Sequence, residues 1–210
     1  MKPKVIVNVA MSADGKIALP DRTEVKISGE EDFKRVHELR NRVDAILVGI
    51  GTVLADDPKL TVKGKFVDDP QHPLKVVLDS KGRTPKDSKL FDEGESLIAT
   101  AKKIEREGWV KCGEEERVDL VELMNVLENK GVESVLVEGG GEVIYSFFKE
   151  KLVDEFYVYV GSTVIGGKDS PTPADGLGAK TIDDITRLNL YDHKKIDDGI
   201  LLKYRVGKDD

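Results

Sequence analysis

Hydrophobic and polar positions follow two rhythms along this chain. Short runs rich in Val and Ile read as strands buried on both faces. They lie at Val5 to Met11, Ala45 to Ile50, Lys75 to Ser80, Ser96 to Thr100 and Ser134 to Val137, with a longer one at Glu155 to Ile165. Between them, apolar residues recur every three or four positions, the spacing of one helix face. Leu120, Leu123, Met124 and Leu127 form the clearest stripe; Asp119 and Glu122 resemble a capping box, and Gly131 stands where a helix would end. Glu30 to Val43 and Val143 to Phe148 predict two more helices, and Pro58 stops a short helical turn after Ile50. From Leu188 to Val206, alternation around Asp198-Gly199 predicts a closing antiparallel hairpin. The pattern as a whole predicts an α/β fold over residues 1–210, a single domain with a mixed, mostly parallel sheet and helices on both faces.

Composition narrows the function classes. Over 210 residues, 39% hydrophobic content suffices for one core and is thin for two. The 33 Lys and Arg against 40 Asp and Glu leave a net charge of −7, which argues against nucleic acid as the partner. A single cysteine, Cys112, excludes a disulfide within the chain, and His37, His72 and His193 show no metal-ligand spacing, so no metal is expected. The histidines read as structural or solvated, none with a partner by spacing, and Trp109 with the Tyr157/Tyr159 alternation as core or dimer-face residues. No run reaches the ~18 apolar residues of a membrane span. Lys2 and Lys4 before an uncharged Val5 to Ala13 loosely mimic a secretion signal, but Asn8 interrupts the run and no small-residue cleavage site follows. A cytoplasmic protein without membrane partners is expected.

Four strand ends carry candidate chemistry. Ser134 to Val143 runs from a buried strand through Glu138 into Gly139, Gly140 and Gly141, which open a helix. Glycines there admit a ligand close to the backbone, and a helix N-terminus attracts phosphate; the plain alternative is a tight turn with no ligand. In Val48 to Pro58, Gly49 and Gly51 leave a strand end bare, and Thr52 and Asp56 share one helical face. Such a pair suits a ribose or an amide, or Thr52 caps the turn and Asp56 is solvated. Asn8 to Lys16 runs a first strand into the turn Asp14-Gly15, and Asp79 to Arg83 sets a hydroxyl and two cations after another strand. Cations there suit a nucleotide phosphate, or form a solvated basic loop.

Taken together, these strand ends resemble the reductase family of riboflavin biosynthesis that acts on 2,5-diamino-6-ribosylamino-4(3H)-pyrimidinone 5′-phosphate. That family is free-standing in archaea and fungi, and a similar domain forms the C-terminal half of a bacterial deaminase–reductase. The resemblance spans Asn8 to Val206 and rests on Asn8 to Lys16, Gly49 to Thr61, Val77 to Arg83, Val137 to Gly141, Leu152 to Glu155 and Ile165 to Gly167. It implies a dihydrofolate-reductase-like fold with NADPH, or NADH as second candidate, lying across the strand ends. Ala10, Thr52, Asp56 and Gly139 then touch the cofactor. Gly140, Gly141, Glu142 and Val143 surround its pyrophosphate, and Ser80, Lys81, Gly82 and Arg83 meet its 2′-phosphate. Glu138, Arg40 and Leu60 match positions lining the substrate, with Glu138 and Asp14 the candidate catalytic carboxylates. Lys63 stands where bacterial homologues have an Arg; it can hold a phosphate as a point charge but not as a fork. Likewise Lys26 lies near where they have a Trp.

The implied reaction reduces a ribosylamino group to a ribitylamino group, with hydride reaching C1′ of the ring-opened imine, and the family's free-standing members form homodimers. One cysteine leaves no room for the deaminase zinc motif, so reduction alone is expected, before deamination. Two alternatives share the fold: reduction of the deaminated compound, and another pteridine or folate reductase.

Overall fold

The computed structural model describes residues 1–207 apart from Glu24 and Glu115. In chain order the elements are β1 (Lys4–Met11), α1 (Glu30–Arg40), β2 (Ala45–Gly49), α2 (Ile50–Asp56), β3 (Leu74–Leu78), β4 (Ser96–Thr100) and β5 (Trp109–Lys111). Then follow α3 (Leu120–Asn129), β6 (Ser134–Gly139), α4 (Gly141–Lys149), β7 (Glu155–Val160), β8 (Leu188–Ile196) and β9 (Gly199–Val206). The fold is α/β, with a mostly parallel pairing of strands and an antiparallel C-terminal hairpin. None of the helices among the described residues is long and apolar enough to cross a membrane. The chain forms two compact units, Met1–Lys4 with Val36–Gly139 and Val5–Arg35 with Gly140–Asp210.

The first unit holds strands in the order β5-β4-β3-β2-β6, each pair parallel. Every residue of β2 is buried, as an uninterrupted apolar strand requires when both faces are covered. The α3 stripe of Leu120, Leu123, Met124 and Leu127 is buried as its spacing predicts. Asp119 caps α3 by accepting the Glu122 N–H at 2.9 Å. Glu122 does not return to Asp119; its carboxylate accepts from the Gly113 N–H at 2.6 Å, so the box is only half formed. Lys75 on β3 is fully buried, its ammonium donating to the carbonyls of Leu90, at 2.6 Å, and Glu93. Strand β5, unforeseen in the sequence, is three residues pairing with Ile98 to Thr100, too short to carry a periodic signal.

The second unit pairs β1 with β7 in parallel, then β7 with β9 and β9 with β8 in antiparallel. Strand β7 stops at Val160, five residues before the sequence pattern suggests. Gly161 follows it, at a position where a side chain would meet the Ile27 carbonyl at 2.5 Å. Beyond it, the N–H groups of Ile165 and Gly166 turn to Asp14 at 3.0 and 2.7 Å instead of continuing a ladder. Tyr159 is fully buried and donates to the Ile196 carbonyl at 3.2 Å, so it is a core residue; Tyr157 and Tyr191 both donate to Glu155.

The first turn of α1 is closed from a distance. Asp197, in the hairpin turn at φ 50°, accepts the N–H groups of Asp32 at 3.0 Å and Glu31 at 3.3 Å. A carboxylate at that end also meets the positive pole of the helix. At its other end α1 closes at Arg40 rather than Val43, because Arg42 and Val43 donate to carbonyls three residues back and the helix tightens out of α geometry.

Candidate active site

Glu138 owes its position to a break in register. Leu47 pairs with Val137 but Val48 pairs with Gly139, so Glu138 is the extra residue of a bulge in β6. Such a bulge re-aims one side chain at the end of a strand. Its carboxylate meets Arg40, the last residue of α1: Nη2 to Oε2 is 2.7 Å, and Nε lies 3.0 and 3.1 Å from the two oxygens. The side chains are only 8% and 19% exposed, so each ion depends on the other for its solvation.

Arg40 has a further hydrogen bond to give, and Nη1 donates it to the Thr61 carbonyl at 3.3 Å. This ties the pair to the loop after α2. Leu60 in that loop is buried at φ 51°, a left-handed conformation that a bulky residue rarely adopts. Three residues after Leu60, Lys63 is exposed, and its backbone N–H donates to Nδ1 of His37 at 3.2 Å. His37 is buried and stacks on Phe66, the ring centroids 5.1 Å apart. The four residues matched to substrate positions, Arg40, Leu60, Lys63 and Glu138, therefore gather about one loop.

Around the remaining strand ends of the first unit the backbone is pinned. Thr52 on α2 sits beside Gly139, where an added Cβ would stand 3.3 Å from its hydroxyl; Asp56, one turn on, is exposed. Asp57 caps α2 at φ 41° and accepts from Ser88 Oγ at 2.7 Å and Lys89 N–H at 2.9 Å. Those donors hold its carboxyl below the usual range. After β3, the fully buried Asp79 accepts from the N–H and hydroxyl of Thr84 at 2.7 and 2.8 Å. Its other oxygen lacks a hydrogen bond, with Arg83 Nε 3.9 Å away. Asp79 thereby folds a turn in which Gly82 takes φ 73° and Lys81 and Arg83 are exposed. The Ser80 hydroxyl accepts the Val118 N–H at 3.2 Å.

In the second unit, Ala10 lies half-buried on β1 opposite Tyr159. Gly140 precedes α4 at φ 52° and ψ 141°, with nothing within 4 Å of the point where a side chain would begin. Gly141 is buried differently: a Cβ would run into the Thr172 carbonyl and an Asp175 oxygen. Glu142 is exposed and Val143 half-buried in the first turn of α4. Asp14 accepts from Ser12 Oγ at 2.6 Å as well as from Ile165 and Gly166, and the Ser12 bond first, then those amides, bring its pKa down to about 2.

The matching family model is the RibD C-terminal domain, over residues 3–202. The chain belongs to that family. A 2,5-diamino-6-ribosylamino-4(3H)-pyrimidinone 5′-phosphate reductase of Archaeoglobus fulgidus is 44% identical over 192 residues, covering 84% of this chain and 88% of that protein. One of the same name from Methanothermobacter thermautotrophicus is 39% identical, covering 98% and 99%. Among solved structures, Acinetobacter baumannii RibD superposes with a TM-score of 0.83 at 25% identity, this chain matching 98% of itself and 58% of that longer chain. Enterococcus faecalis dihydrofolate reductase shares the fold alone, at a TM-score of 0.57 and 9% identity.

Within this RibD C-terminal domain, three residues carry more than their sequence context signals. His37, read as partnerless, holds the Lys63 amide 26 residues away. Asp79 shapes the basic turn, and Asp175 lies against the first residue of α4. None could have been found by spacing, since each partner lies in another segment of the fold. Trp109 is half-buried at the edge strand, its indole N–H buried without a hydrogen-bond partner and Arg106 over its ring. Among the described residues, no group of three or more His, Cys, Asp and Glu is placed to hold a metal.

Proposed function

We propose that this domain is an NADPH-dependent oxidoreductase that reduces the ribosylamino side chain of 2,5-diamino-6-ribosylamino-4(3H)-pyrimidinone 5′-phosphate to the ribitylamino form. The name shared by its archaeal relatives supports the substrate. The observation that carries the reading is the buried Arg40–Glu138 pair tied through Thr61 to the loop of Leu60 and Lys63. Fixed charge of this kind orients a polar substrate and costs no reorganisation during reaction.

The residues present fit an anionic dinucleotide. Gly140 leaves open backbone where any side chain would be strained, and Lys81 and Arg83 are exposed on a turn that Asp79 holds. In this reading Thr52, Asp56, Ser80 to Arg83, Ala10 and Gly139 to Val143 hold the cofactor, the two cations favouring the phosphorylated form over NADH. Bound there, a reduced nicotinamide supplies a hydride. Glu138, held in place by Arg40, supports positive charge developing at the sugar-derived carbon. Asp14 keeps its charge throughout the working range, so its part is electrostatic and it has no proton to donate. A phosphorylated substrate that does not cross membranes implies a cytoplasmic enzyme. The exposed Leu190 and Tyr191 on the edge strand β8 support a homodimer, to be checked by light scattering.

The test follows nicotinamide oxidation with the diamino substrate and, separately, its deaminated analogue. Faster turnover of the diamino compound is expected. Preference for the deaminated compound would reverse the order of reduction and deamination, and turnover only with a pterin or folate would replace the substrate class on the same fold.

A further inference from the structure

His37 is built into the same loop as Lys63, through the backbone. Its ring is 1% exposed, and stacking on Phe66 with planes 17° apart fixes its orientation. Because Nδ1 accepts the Lys63 N–H at 3.2 Å, the ring proton sits on Nε2. Burial first, then the charges of Arg40, Lys63 and Lys65, push its pKa down to about 4, so the acceptor is present throughout the neutral range. Arg40, one turn further along α1, holds the Thr61 carbonyl. Two residues of one helix thus grip the loop on either side of the buried Val62.

This grip has a chemical reason at a lysine. An arginine aligns itself on a phosphate through its planar fork, whereas an ammonium on a four-carbon stem carries no orientation of its own. Direction must then come from the backbone that bears it. We propose that His37 is a positioning residue for recognition of the substrate's phosphate, fixing the backbone of Lys63 so that its ammonium is delivered to the phosphate. The inference rests on the proposed substrate and on the reading, implied by the family resemblance, that Lys63 meets its phosphate.

The experiment measures kcat/KM for the phosphorylated substrate and for its dephosphorylated analogue, and reads their ratio. Lys63→Ala should abolish the preference for phosphate. His37→Phe keeps the stacked ring but removes the acceptor, and should lower that preference about three- to tenfold, mainly through KM. His37→Asn places an oxygen near the Nδ1 position and should restore it. His37→Gln, whose oxygen reaches the Nε2 position instead, should not, and serves if the Phe variant fails to fold. A merely structural histidine would lower both substrates equally and leave the ratio unchanged. An intact preference in Lys63→Ala would overturn the phosphate reading itself. Loss in Lys63→Ala with none in His37→Phe or His37→Gln would overturn the role of His37 alone.

Discussion

Glu138 cannot be changed without consequence for Arg40, because the two charges face each other at 2.7 Å in a poorly solvated place. Glu138→Ala should cost about 3–5 kcal/mol, most of it the uncompensated guanidinium, measurable by urea denaturation. Replacing both residues by apolar ones of similar size should recover much of that loss. Glu138→Gln keeps an acceptor for Arg40 and isolates the missing charge. It should raise KM for the substrate well before it alters cofactor affinity, and an equal loss of both would remove Glu138 from the substrate site. Asp14 behaves differently: three donors hold it ionised down to about pH 2. Asp14→Asn should therefore leave the acid limb of the pH–rate profile in place; a shifted limb would make Asp14 a proton donor after all.

At the scale of elements, one helix N-terminus is capped by an aspartate remote in sequence, and another has such an aspartate beside it. Asp197 caps α1 from the β8–β9 turn, and Asp197→Ala should cost about 1–2 kcal/mol in thermal unfolding, as loss of a cap does. Asp175 lies against Gly141 at the start of α4, where the helix pole attracts negative charge. If a dinucleotide pyrophosphate binds at that end, the carboxylate competes with it. Asp175→Asn should then tighten NADPH binding by about two- to fivefold, and unchanged affinity would place the pyrophosphate elsewhere. These contacts also mark where the sequence stops being readable. The α3 stripe and the buried β2 announce themselves because their signal lies within a dozen residues. The cap of α1 joins positions 165 residues apart, the Arg40–Glu138 pair spans 98, and the amides of Ile165 and Gly166 turn to Asp14, 151 and 152 residues back. The glycines and carboxylates at the strand ends were visible as types; which partner each would meet depended on the register of β6 and the path of the loops.

Over the whole molecule, these buried and tethered groups set the response to acid. His37 is neutral when folded, its pKa near 4, against 6.5 in an unfolded chain. Between those values the unfolded state binds the extra proton, so stability is full above pH 6.5 and falls as the pH drops towards 4, by about 3 kcal/mol in all. The aspartates act lower. Asp14, Asp57, Asp184, Asp192 and Asp198 are all held below the usual carboxylate range by hydroxyl, amide or lysine donors. Their contribution is present above about pH 4 and is lost below it. Acid unfolding should accordingly show two windows, a gradual loss from pH 6.5 to 4 and a steeper one beneath. His37→Asn retains the acceptor for Lys63 but cannot take up a proton, so it should flatten the upper window and leave the lower one unchanged. Denaturant unfolding at stepped pH measures both. If the upper slope survives in His37→Asn, the proton taken up there belongs to another group, and the buried imidazole is not what makes the fold sensitive to mild acid.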